Sequence, residues 1–224
     1  MMTSLFSMFD PTAIMNIPLN WGLMVIVLIL LPTPMWKSSS RMTYVLKLLT
    51  TTLNMEFNSL FSKNMMLKGT TLLPISLFMF IMIMNLTSNF PYTFCAAAHL
   101  SFSLTLSIPI WTSIILFYWM NLTKDMMSHL VPTGTPSLLM PLMVVIELVS
   151  NMIRPAALAV RLTANLIAGH LLMALLGNTL NPQTSFWILI VVLQIIFLSF
   201  ELMVALIQSY VFSVLMTLYS SEIN

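Results

Sequence analysis

The sequence predicts an all-α integral membrane protein: one N-terminal transmembrane helix, an interfacial amphipathic helix, a transmembrane pair, and a C-terminal hairpin of two long, steeply tilted helices. Three observations carry this. Of 224 residues, 59% are hydrophobic and only 6% are charged. Soluble domains average about 25% charged residues, so this chain cannot cover a water-facing surface. The apolar residues gather in runs about as long as the hydrocarbon core is thick. The last two runs are much longer than that core requires. A single membrane domain over 1–224 accounts for the whole pattern.

The elements follow in order. Residues 18–36, centred on GLMVIVLILL, are the first transmembrane helix. Lys37, Arg41, Lys47, Lys63 and Lys68 come next, opposed only by Glu56. Across this basic stretch, Met42, Val45, Leu46, Leu49, Leu53, Phe57, Leu60 and Phe61 recur at steps of three and four, which is one helical stripe. Residues 41–68 therefore read as an amphipathic helix lying on the membrane surface. Residues 70–121 form a transmembrane hairpin: a run at 70–87, the charge-free loop TSNFPYTFCAAAH, and a run at 100–121 that contains Pro109. A short polar link with Lys124, Asp125 and His129 leads to residues 138–221. There, two segments at 138–176 and 185–219 are joined by GNTLNPQTS.

At 1.5 Å per residue each of those segments makes a helix roughly 50 Å long, against a hydrocarbon core of roughly 30 Å. Pro155 is placed to break the first, but the piece before it is then too short to span. Steep tilt of both helices is the better solution. With alternating spans, Lys37 to Lys68 and Lys124 share one side, while the N-terminal tail and the 88–99 and 177–184 loops, which hold no Lys or Arg, share the other. Basic loops mark the cytoplasmic side, or the matrix side in a mitochondrion.

Composition excludes several classes. A net charge of +2 is too small for nucleic-acid binding. The lone Cys95 cannot form an intrachain disulfide, and the 22 methionines are scattered rather than clustered with His or Cys as soft-metal sites would need. His99, His129 and His170 are not paired across facing spans as haem ligands. No Gly-rich phosphate loop, nucleophile elbow or HExxH occurs, so neither a metal nor a cofactor is expected. The tail before Lys37 carries no basic residue, unlike a secretory signal or transit peptide. An organellar protein of this kind is expected to be made inside the organelle.

The polar residues on the long segments carry the chemistry. Glu147, Arg154 and Arg161 are spaced by seven and seven, and Asn151 and Asn165 fall on the same stripe. Gln194, Glu201 and Gln208 are also spaced by seven and seven. A charge at mid-bilayer costs about 3 kcal/mol even on lenient scales. Structural hydrogen bonds between spans add little, about 0.6 kcal/mol each, and Asn151 and Gln194 need be no more than that. Packing does not demand a guanidinium that stays charged at every physiological pH. Ion or proton transfer explains the arginines better than structural pairing with Glu147 and Glu201.

The runs IELVSNMIRPAALAVRLTANLIAGHLL and FELMVALIQSYVFSVLMTLY, with RLTANxxAGH followed by an E-x6-Q pair, closely resemble subunit a of the F-type ATP synthases in its mitochondrial, invertebrate-like form. The resemblance is strong over 138–221, and the LPTP-W-K turn and the order of spans agree elsewhere. It implies a proton-translocating stator subunit, not catalytic by itself, that forms two offset half-channels to a rotor ring of c subunits. Arg161 matches the essential arginine that separates the half-channels and faces the rotor carboxylate. Glu201, His170, Asn165, Gln208 and Glu147 match the proton path. Arg154 and Gln194 are secondary. Bacterial relatives often carry Glu where this chain has His170 and His where it has Glu201, so the pair is swapped here. The implied partners are the c-ring, other membrane-sector and peripheral-stalk subunits, and lipid, without nucleic acid. The implied location is the mitochondrial inner membrane, with the N-terminus in the intermembrane space and the C-terminus in the matrix. The rival reading is a proton-pumping or structural membrane subunit of a respiratory complex. It would favour lysines in mid-span, whereas the lysines here lie outside the spans.

Overall fold

A computed structural model of the chain describes residues 9–12, 18–22, 24–25, 40–61, 70–90, 93–121, 123–131, 136, 139–179 and 187–222. The described residues contain helix and no strand. Six α-helices follow in order: α1 (Arg41–Phe61), α2 (Leu72–Ser88), α3 (Leu100–Asn121), the short α4 (Thr123–His129), α5 (Met140–Thr179) and α6 (Trp187–Glu222). Short 3-10 turns lie at Leu19–Gly22 and Ala96–Ala98. Among the described residues three helices, α3, α5 and α6, are long and apolar enough to cross a membrane, and α2 is a shorter apolar helix of 17 residues.

The expected first transmembrane helix, 18–36, lies mostly outside the described residues, as do 62–69 of the expected interfacial helix and the 180–186 connection. The two oversized segments are continuous helices of 40 and 36 residues. Pro155 lies inside α5 without ending it. The ring removes only one ladder hydrogen bond, and the apolar turns on either side keep the helix going where lipid offers the backbone no substitute partner.

The four longer apolar helices do not pair as the sequence order suggests. The α2 helix packs mainly against α6, and α3 mainly against α5, while α5 and α6 pack on each other. The buried side of α6 explains the close approach of α2. Ala205, Ser209, Ser213 and Thr217 recur there at steps of four, and all four are buried. The hydroxyls of Ser209, Ser213 and Thr217 each donate to a carbonyl of their own helix three residues back. Small, internally satisfied side chains let backbones come close in an apolar medium. Asn85 on α2, fully buried, reaches the Ala205 carbonyl on α6 with its Nδ2 at 3.5 Å.

The α1 helix buries Leu53, Phe57 and Phe61 of its predicted stripe, Phe57 completely. Leu53 and Phe57 pack with Phe78 of α2 and Val214 of α6. Met42, Val45 and Leu60, on the same predicted stripe, are exposed. The outer faces of α5 and α6 are strongly apolar: Met152, Ile153, Ile195, Phe200 and Met203 are all exposed. Such a surface belongs in lipid or against another apolar protein.

Candidate functional site

The antiparallel α5–α6 hairpin brings its polar residues together in one register. Asn165 Nδ2 donates to Gln208 Oε1 at 2.9 Å. One and a half turns further along α5, His170 Nε2 stands 3.8 Å from Glu201 Oε1. In the other direction, the Arg154 guanidinium carbon sits 4.9 Å from the ring centroid of Tyr219, and its Nη2 is 3.6 Å from Glu147 Oε1. The His170 and Glu201 side chains are 11% and 10% exposed.

Arg161 lies between these groups and joins neither. It is exposed on the outer face of α5 and makes no hydrogen bond or ion pair among the described residues. The single stripe expected for Glu147, Arg154 and Arg161 therefore divides. Arg154 is half-buried against Tyr219, and Arg161 faces out. A seven-residue step falls about 20° short of two full turns in a straight helix, so successive members rotate off the line. Asn151 is half-buried. Gln194 is half-buried two turns before Glu201 and makes no side-chain hydrogen bond among the described residues. Two polar sets thus flank one free arginine: Asn165, His170, Glu201 and Gln208 on one side, Glu147 and Arg154 on the other.

Beyond Asn165 the hairpin opens into a cavity of about 370 Å³, lined by Asn165, Gly169, Glu201 and the apolar Leu172, Phe197 and Phe200. Gly169 makes room for the acid. A Cβ at that position would lie 2.6 Å from Glu201 Oε1. The 3.8 Å gap between His170 and Glu201 is longer than a direct hydrogen bond, about 2.7–3.2 Å. A shift of under about 1 Å closes it, as often happens when proton-transfer pairs tighten. The His170 Nε2 and Glu201 Oε1 atoms are buried without hydrogen-bond partners.

Sequence reasoning missed four residues. Gly169 stood within the quoted motif, but its need for bare Cα appears only against Glu201. Tyr219 ended the second quoted run, yet no spacing rule assigned it to Arg154. Asn85 lies in an apolar run with no spacing signal of its own, and its burial against the Ala205 carbonyl gives it a packing role. Phe9, whose ring meets His170 edge-on at 6.4 Å, gave no local signal.

The helices define a multi-pass helical membrane protein, and the hairpin defines one that keeps titratable groups and a free arginine together on an apolar scaffold. The family model described as ATP synthase A chain matches residues 4–221. The curated "ATP synthase subunit a" of Aedes aegypti is 51% identical over 227 residues, covering 100% of both chains. That of Anopheles gambiae is 50% identical over 227 residues and that of Drosophila melanogaster 49% over 226, again over 100% of each chain. The chain belongs to the ATP synthase subunit a family.

Proposed function

We propose that this chain is the proton-translocating stator of an F-type ATP synthase membrane sector, working beside a rotor ring of small carboxylate-bearing subunits. The observation that carries the reading is the exposed Arg161, without an ion pair among the described residues, set between two polar groupings on the apolar face of α5. An unpaired guanidinium on an apolar surface is stable only if a partner brings the counter-charge. A ring of carboxylates passing that face supplies it.

The mechanism follows from what each group can do. Protons reach the ring from the intermembrane side through Glu201, His170, Asn165 and Gln208, and leave toward the matrix past Glu147. Arg161 cannot release its proton, so it cannot relay one. Its charge favours the ionised form of an approaching carboxylate. A ring acid nearing Arg161 gives up its proton to the outlet, passes while paired, and is reloaded from the inlet. Each charge moved through 100 mV is worth about 2.3 kcal/mol, and this drives the ring. Arg154, held by Glu147 and Tyr219, shapes the outlet, and Gln194 extends the inlet line. The partners are the ring, the other membrane-sector and peripheral-stalk subunits, and lipid. The setting is the mitochondrial inner membrane, with the N-terminus in the intermembrane space and the C-terminus in the matrix.

The test is Arg161→Ala in the assembled complex in vesicles. ATP-driven proton pumping is expected to vanish and passive leak to rise. Arg161→Lys is expected to fail as well, because a lysine shifts its pKa readily and lacks the planar fork. Full pumping by Arg161→Ala overturns the reading.

A further inference from the structure

Two of the three histidines lie under aromatic rings from the N-terminal segment. Phe9 meets His170 edge-on, with ring centroids 6.4 Å apart and planes at 82°. Trp21 lies 5.3 Å from the ring centroid of His99 and 5.7 Å from that of Phe94, and Phe94 lies 5.2 Å from His99. Phe9 and Trp21 both pack on the main core. The Asn20 amide donates to the Asp10 carbonyl at 3.3 Å, which ties the stretch after Phe9 to the stretch before Trp21. In both histidines Nε2 is buried with no hydrogen-bond partner.

We propose that Phe9 is a positioning residue for proton uptake: its ring fixes the His170 imidazole beside Glu201 and screens that pair from open water, with Trp21 anchoring the segment on His99. This rests on the reading of His170 and Glu201 as a relay. The physical case is geometric. The His170–Glu201 gap of 3.8 Å transfers a proton only if the ring swings toward the acid rather than away from it. An edge-on aromatic contact has a preferred direction, so Phe9 restricts that swing. It also occupies ground where bulk water would otherwise solvate the imidazole and compete with Glu201 for its proton.

The titratable groups on His170 and on the segments that pack with Phe9 and Trp21 are few. Glu201 faces it from α6. Cys95 and His99 come from the 93–99 connection, and Asp10 follows Phe9. Burial pushes the Cys95 thiol up to about 11, so it stays neutral. Asp10 is fully exposed, and its carboxylate is held below the usual range by hydrogen bonds from the Thr12 backbone and hydroxyl. Arg161, the nearest fixed cation on α5, is more than two turns away on the outer face. Among the described residues, Glu201 is the titratable group within ion-pair reach of His170.

The experiment is a double-mutant cycle in the assembled complex reconstituted into vesicles, using Phe9→Leu, His170→Ala and both together. Leucine fills most of the space without a ring, and native gels report assembly. Phe9→Leu is expected to lower proton translocation about threefold to tenfold and to shift its pH profile. Phe9→Tyr is expected to restore both. In the His170→Ala background, Phe9→Leu is expected to change nothing further. An equal loss in that background, an unmoved pH profile, or a Phe9→Tyr variant no better than Phe9→Leu makes Phe9 a packing residue and overturns the proposal. Failure of the relay itself shows elsewhere, as native transport by Glu201→Gln.

Discussion

Asn165 of α5 and Gln208 of α6 share a hydrogen bond of 2.9 Å, one turn along α5 from an arginine that has no ion pair or hydrogen bond among the described residues. The bond pins the register of the long hairpin at the level where Arg161 faces outward. In lipid such a bond is worth about 0.6 kcal/mol on average, a small share of the hairpin's packing. Asn165→Ala and Gln208→Ala are therefore expected to leave assembly intact and to lower the thermal midpoint of the isolated complex only slightly. Their double mutant should cost less than the sum of the singles. Strict additivity in that cycle means that the two amides do not work as a pair.

Gly169 is expected to be intolerant of any side chain. Its missing Cβ leaves the space that Glu201 Oε1 occupies, 2.6 Å from where a methyl would sit. Gly169→Ala forces the acid away from His170 while the helix stays intact, since alanine is the better helix former. Misplacing a reacting group by about 1 Å costs up to about a hundredfold. Pumping should fall on that scale with normal complex yield on native gels. A Gly169→Ala complex that pumps at the native rate shows that the acid has another place to go.

Glu201→Gln keeps the shape and loses the titration. Losing a positioned proton-transfer group costs about a hundredfold or more, and the pH profile of proton translocation should flatten. His170→Ala is expected to show a milder loss, because a water chain can bridge the shorter side chain. The decisive measurement is the initial rate of acidification in vesicles across pH 6 to 8, an interval chosen around the ordinary histidine value of about 6.5. Native rate and native pH dependence in Glu201→Gln remove that residue from the path.

Both α5, at 40 residues, and α6, at 36, are too long for an upright crossing. The ratio of about 54–60 Å of helix to about 30 Å of hydrocarbon predicts axes more than about 45° from the membrane normal. Their exposed apolar faces would otherwise meet water at Met152 or Leu175 and at Ile188 or Leu218. Imaging of the assembled complex in a lipid disc measures the angle directly. Either helix at the ~20° of ordinary spans contradicts the ring-facing geometry.

The sequence alone determined the helical class, the two oversized helices and the heptad-spaced polar residues on them, because apolar run length and heptad spacing are local properties of the chain. Of the amphipathic stripe it placed from Met42 to Phe61, the fold buries Leu53, Phe57 and Phe61 and leaves Met42, Val45 and Leu60 exposed. Tertiary structure decided which polar groups meet. Arg154 turns onto Tyr219 while Arg161 faces out, because the seven-residue step drifts around the helix and the partner helix selects one part of that arc. It also decided that α2 packs on α6 rather than on its chain neighbour α3, since the small-residue face of α6 admits the closest approach. Gly169 and Phe9 gained meaning only from Glu201 and His170, residues distant from them or projecting from another element. Burial and contact are set by what the rest of the chain brings to a side chain, and no window along the sequence contains that information.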